Sequence, residues 1–221
     1  MRKGMYLLFL LTAPWMLVKS QEAVLWGLMP SVNISKKLPK DWSLQSKAES
    51  RIKMYQDEAD FSYLLTDLSL TTGRKISLRT TLTAGYLIRV EPDAVSHRTI
   101  QQLSVVNRYT GFSLSHRLAF DQTFQKEEKA EYRFRYRISG EKSLQGQSVD
   151  PGEFYVKFSN EYLYAVQAST ADLEIRLTAV AGYALTPGAK LETGPEYRVS
   201  SLFNDPVRQR IWIGIHLFQT L

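Results

Sequence analysis

From Val24 onward, apolar and polar residues alternate with a period of two, and turn residues interrupt the alternation at regular intervals. The pattern predicts eleven strands, near 23–35, 41–54, 60–71, 75–90, 95–108, 111–124, 130–143, 153–167, 171–185, 189–201 and 207–219. No segment carries a helical period, and no linker or low-complexity tract divides the chain. The seventh strand is the clearest: Tyr132, Phe134, Tyr136 and Ile138 alternate with Arg133, Arg135 and Arg137. The fourth sets Ile76, Leu78, Leu82, Ala84, Tyr86 and Ile88 against Ser77, Arg79, Thr81, Thr83, Gly85 and Arg89. The ninth sets Leu173, Ile175, Leu177, Ala179 and Tyr183 against Glu174, Arg176 and Thr178. The last sets Ile211, Ile213, Ile215 and Leu217 against Arg210, Gly214 and His216. In the fifth, Gln101 and Gln102 spoil both phases.

A soluble β-sandwich also alternates, with its apolar face turned inward. Three features favour a membrane barrel instead. Many strands run 12 to 16 residues, where soluble strands usually have about 5–6. Phe112 and Phe120 bracket one apolar face, and their spacing on a tilted strand is roughly 20 Å of height, near the apolar band of about 25 Å. The chain also ends within a strand, Arg210 to Gln219. In a bilayer the facing is forced, because one Arg on the lipid side costs about 2–4 kcal/mol near the midplane. The arginines therefore face the lumen and the aromatics the lipid. The fold class expected is all-β, an antiparallel up-and-down transmembrane β-barrel of about 10–12 strands. Bacterial single-chain barrels have even strand numbers, so a count of eleven implies one strand split or missed. Thr72-Gly73-Arg74 and Pro187-Gly188 read as turns. The short connections between strands 1–2, 3–4, 5–6 and 9–10 are expected on the periplasmic side.

Composition refines the address. Met1 to Ser20 has the form of a signal peptide: Arg2 and Lys3 lead an apolar run, and cleavage is expected near Ser20/Gln21. The organisation is then 1–20 leader and 21–221 barrel, placed in the outer membrane of a Gram-negative bacterium. Of the 28 basic residues three lie in the leader, leaving 25 against 22 acids, so the basic balance does not point to nucleic acid. The chain has no cysteine, which excludes a disulfide scaffold, a Cys-based zinc site and a lipoprotein anchor.

The informative polar residues are the lumen charges: Glu49, Arg51, Arg79, Arg133, Arg135, Arg137, Glu161, Glu174, Arg176, Glu196 and Arg198. They form either a lumen filled by Arg–Glu pairs, as buried charges require, or a charged, porin-like channel for polar or anionic solutes. A third reading is a lipid-modifying hydrolase built on a Ser–His pair. His116 shares the apolar face with Phe112, Leu114, Leu118 and Phe120, while Ser115 points the other way, so these two cannot form a dyad. His216 faces the lumen, with no serine partner identifiable from sequence. No catalytic, cofactor-binding or metal-binding residue is assigned, because three scattered histidines lack ligand spacing. The expected partners are outer-membrane lipid and lipopolysaccharide, the barrel-assembly machinery, and a small polar solute. The oligomeric state is open.

The order and spacing of several motifs carry a resemblance. They are Leu25-Trp26, Trp42-Ser43-Leu44 leading to Glu49 and Arg51, Gly85-Tyr86, and the strand from Tyr132 to Arg137. Pro151-Gly152-Glu153-Phe154-Tyr155 then leads to Asn160-Glu161-Tyr162, and Glu196-Tyr197-Arg198 completes the set. In these the chain resembles the exported proteins grouped as domain of unknown function 2490 (DUF2490), typical of Bacteroidetes-type bacteria. The resemblance covers nearly the whole mature chain and implies an outer-membrane barrel. It brings no established activity and no functional residue.

Overall fold

The computed structural model describes residues 23–221, so the leader read from the sequence lies outside the described residues. Eleven strands follow one another: β1 (Leu25–Lys37), β2 (Trp42–Gln56), β3 (Glu58–Lys75), β4 (Thr80–Val90), β5 (Val95–Tyr109), β6 (Phe112–Gln125), β7 (Glu131–Ser143), β8 (Phe154–Gln167), β9 (Thr170–Ala184), β10 (Ala189–Ser200) and β11 (Arg208–Thr220). No helix occurs among the described residues. Each strand pairs antiparallel with the next, and β1 pairs with β11 to close the barrel.

That closing pair is parallel. It runs through eleven residue pairs, from Leu25 beside Arg210 to Ser35 beside Thr220. The expectation of an even strand count is corrected here: no strand was split or missed. Strands of an up-and-down meander alternate in direction, so the first and eleventh point the same way and can meet only in parallel. The seam places the start of β1 and the end of β11 on opposite rims. On the rim where β1 begins (the N rim) lie the β2–β3, β4–β5, β6–β7, β8–β9 and β10–β11 connections. On the other (the C rim) lie the remaining five, including the ten-residue segment 144–153, so the rim expected to carry only short turns holds the longest connection.

Parallel pairing is slightly weaker per residue than antiparallel, and side chains reinforce the seam. Ser31 Oγ lies 2.7 Å from His216 Nδ1, Ser35 Oγ lies 3.0 Å from Thr220 Oγ1, and Asn33 Nδ2 donates to the Leu217 carbonyl at 3.4 Å. The Leu221 amide donates to the Ser35 carbonyl at 2.8 Å.

Alternation divides the wall as the sequence pattern predicts. On β7, Arg133 is buried inside while Phe134 stands 56% exposed outside. Phe134, Leu177 and Ile213 sit on three separate strands of the outer face, and no second sheet covers them, which removes the sandwich alternative. Exposed aromatics gather at both ends of the wall. Trp26, Tyr55, Tyr63 and Tyr132 lie towards the N rim, and Trp42, Tyr109, Phe112 and Phe154 towards the C rim.

Inside, large aromatics fit over glycine. Trp212, 2% exposed, occupies the space a Cβ at Gly27 would need, since that atom would fall 2.5 Å from the indole. Tyr155 lies across the strand from Gly182, where a Cβ would come within 2.2 Å of the ring.

One segment departs from the pattern. Gly73 lies within β3, paired with Ser43 and Thr83, and the turn falls later, at residues 76–79, closed by the Ile76 amide on the Thr80 carbonyl at 2.9 Å. Glycine so often punctuates a turn that one accepted inside a strand carries the same local signal. The shift takes Arg79 out of the lumen. It is exposed on the C rim, donating to Asn107 Oδ1 at 3.2 Å.

The seam can be tested directly, since the chain has no native cysteine. Ser35→Cys with Thr220→Cys should cross-link on mild oxidation, because paired neighbours fall within disulfide reach. Ser35→Cys with Arg210→Cys, at opposite ends of the seam, should not. Cross-linking of the second pair alone, read on a non-reducing gel, would mean an antiparallel closure.

Candidate functional site in the barrel lumen

Every second residue of each strand points into the barrel, and on β6 to β11 these residues are unusually charged. A cavity of about 510 Å³ occupies the interior, a volume typical of small-molecule sites. Of the charges singled out from the sequence, Glu49, Arg51, Arg133, Arg135, Arg137, Glu174, Arg176, Glu196 and Arg198 line it. Glu161 lies behind them, 1% exposed. Arg79 is the exception on the rim.

Two buried carboxylates organise the arginines. Glu161 on β8 is 2.8 Å from Arg137, 2.9 Å from Arg117, 3.5 Å from Arg176 and 3.8 Å from Arg135. Asp121 on β6, with no exposed surface, is 3.0 Å from Arg135 and 3.4 Å from Arg133. Around the other wall, Asp67 accepts two hydrogen bonds from Arg89, at 2.7 and 2.8 Å. Glu49 binds Lys47 at 2.6 Å and Arg51 at 3.0 Å. Glu174 pairs with Arg176, Glu196 with Arg198, and Glu192 with Lys157 and the Tyr155 hydroxyl. Such charges hold their positions only as a matched set, since a buried ion left alone is costly.

The set is not balanced. Twelve basic side chains line the cavity against five acidic ones. With Asp121 and Glu161 behind the lining, and Glu131 and Glu141 reaching Arg133 and Lys157, nine carboxylates face twelve cations, an excess of three. Trp212 is buried towards the N rim, its ring between Arg51 at 5.9 Å and Arg198 at 5.8 Å. Beyond it a recess of about 660 Å³ opens at that rim, and Arg51 and Arg210 line both spaces.

Asp67, Asp121, Arg98 and Arg117 were not among the sequence candidates. The signal for two of them was present. With Phe112, Leu114 and His116 outward, continuing the β6 phase places Arg117 and Asp121 inward. Arg98 was hidden by the Gln101-Gln102 pair. The strand keeps a single phase, with Ser96, Arg98 and Ile100 buried and Gln101 exposed.

The lumen also brings together a serine and a histidine far apart in sequence. Asn33 Nδ2 donates to Ser31 Oγ at 3.2 Å, and Ser31 Oγ lies within hydrogen-bond distance of His216 Nδ1 at 2.7 Å. This is the contact of a nucleophile with a base, but the nearest carboxylates are engaged elsewhere. Glu49 pairs in register with Ser31, and Glu192 with His216, yet each holds the basic partners given above. His97 lies beside Tyr86, with ring centroids 5.9 Å apart, and His116 meets the Tyr136 hydroxyl at 2.8 Å on the outer wall. Among the described residues no group of three His, Cys, Asp or Glu side chains is placed to hold a metal ion.

The family model described as "Protein of unknown function (DUF2490)" matches residues 26–209, a span that opens within β1 and stops at the start of β11. No curated protein and no solved structure matches the chain.

Glu161→Gln should lower the unfolding free energy of the refolded barrel by about 3–5 kcal/mol, the usual cost of breaking a buried pair. Glu127→Gln, which removes only the exposed partner of Lys126, should leave it unchanged. Urea titration followed by tryptophan fluorescence separates the two.

Proposed function

Because the chain belongs to the DUF2490 family, whose description assigns no activity, we propose its function from geometry: an outer-membrane barrel whose lumen is a charged compartment for a small polar solute. The observation that carries this reading is the inverted wall. Phe134, Phe158, Leu70 and Leu118 are more than half exposed, while Glu161 and Asp121 are buried. Soluble monomers rarely expose so continuous an apolar surface. A bilayer would cover it, and the two rows of aromatics suit the water–lipid boundaries. The outer-membrane lipids, lipopolysaccharide included, would contact this wall, and the barrel-assembly machinery would insert it after export by the leader read from residues 1–20.

The lumen supports a pocket rather than a wide pore. Ion pairs tie β2 to β4 and β6 to β10 along the inner wall, and the buried Trp212 takes up space towards the N rim. The Ser31–His216 contact supports a fastening of the seam better than a hydrolase, since neither neighbouring carboxylate is free to orient the imidazole.

Two measurements test the proposal. Phe134→Arg puts a cation on the outer wall at a depth-dependent cost of up to about 2–4 kcal/mol, and should weaken retention of the protein in alkali-washed membranes. Arg135→Glu acts on the inner face and should impair folding while leaving any folded fraction membrane-bound. Wild-type protein recovered free in the periplasm would refute the membrane placement. Separately, proteoliposomes carrying the barrel should not swell in a disaccharide gradient. Rapid swelling would replace the pocket with an open pore.

A further inference from the structure

Following one hydrogen-bonded row around the barrel reveals an arrangement that stability alone disfavours. Arg117 on β6 pairs in register with Arg137 on β7, Arg137 with Glu161 on β8, and Glu161 with Arg176 on β9. Arg176 pairs in turn with Arg198 on β10, and Arg198 with Arg210 on β11. Five guanidiniums and one carboxylate thus occupy a single inward row over six adjacent strands. At three of its five junctions arginine stands directly opposite arginine, which destabilises a sheet.

The donors of this row and its neighbours are not used up by protein. The Nε–H groups of Arg117, Arg137 and Arg51 are buried without a protein acceptor, while those of Arg133 and Arg135 lie 3.4 and 3.0 Å from carboxylate oxygens of Glu131 and Asp121. Buried polar groups of this kind call for a partner. Arg210 lines the cavity with no carboxylate within ion-pair distance among the described residues, and Arg98 is held by the Thr123 hydroxyl instead of an acid. The surplus of cations, the spare donors and the cavity coincide.

We propose that the arginine row is a binding site for a small, multiply charged oxyanion of the phosphate class. A guanidinium presents a planar fork of donors that matches phosphate oxygens two at a time. A ligand bearing two or more negative charges would offset the excess more fully than a single carboxylate. Met29, Leu87, Ile100, Val180 and Phe218 also line the cavity, giving room for a modest apolar portion, so phosphomonoesters fit as well as inorganic forms. The inference deepens the reading of the lumen as a solute compartment and does not depend on the membrane placement.

The test uses the whole refolded barrel in a maltoside detergent, which carries no phosphate. Inorganic pyrophosphate should raise the thermal unfolding midpoint well beyond chloride at equal ionic strength. Arg210→Gln should weaken its apparent affinity tenfold or more, and Arg210→Lys should restore part of it. Arg137→Gln should act in the same direction. If that variant fails to fold because Glu161 loses a partner, Arg210→Gln still decides, since no protein ion pair depends on it. Arg79→Gln, on the rim, should bind as the wild type does. A parallel arm adds phosphatidylglycerol to the micelles: stabilisation by that lipid alone, lost in Arg210→Gln, would assign the same phosphate chemistry to a headgroup rather than a soluble ester. Pyrophosphate no better than chloride, with no lipid effect, would overturn the site. So would equal losses in Arg79→Gln and Arg210→Gln.

Discussion

A carboxylate with no water around it must be neutralised by its neighbours, and the interior of this barrel is arranged about two of them. Glu161 on β8 draws arginines from β6, β7 and β9, and Asp121 on β6 draws two from β7. These contacts run across the hydrogen-bonded ladder, so they tie adjacent strands together side by side, where backbone pairing alone leaves the register easiest to slip. The wall outside can be simple because the interior is specific. Its apolar residues need only be apolar, whereas each lumen charge needs a particular partner at a particular height.

The same constraint explains what the sequence disclosed and what it withheld. Facing was legible wherever a strand kept one phase. On β7, three arginines opposite aromatics admit only one orientation in a bilayer, and β6 would have yielded Arg117 and Asp121 had its phase been followed to the end. Turn position was less legible: Gly73 sits in a strand and residues 76–79 make the turn, because pairing across β3 and β4 outweighs the local preference of glycine. Partnership was not legible at all. Nothing in the spacing of Ser31 and His216, 185 positions apart, announces a hydrogen bond. It exists because the barrel closes on itself and brings the first strand beside the last.

Closure was also where general expectation about strand number misled. Alternation counted eleven strands correctly, and the inference that one was missing came from the habit of bacterial barrels, not from the residues. The parallel seam supplies the reason that an odd count can close. Its cost in backbone pairing is met locally by hydroxyl, amide and imidazole side chains on β1 and β11, and by Trp212 seated over Gly27 where the two strands begin.

An odd ring has sidedness written into it. Whatever precedes β1 and whatever follows β11 open towards different compartments once the wall separates two of them, so a module appended at one end could never meet one appended at the other. Growth or loss of whole hairpins would preserve that separation through evolution. Gain or loss of a single strand would abolish it, reversing the seam and bringing both ends to one side.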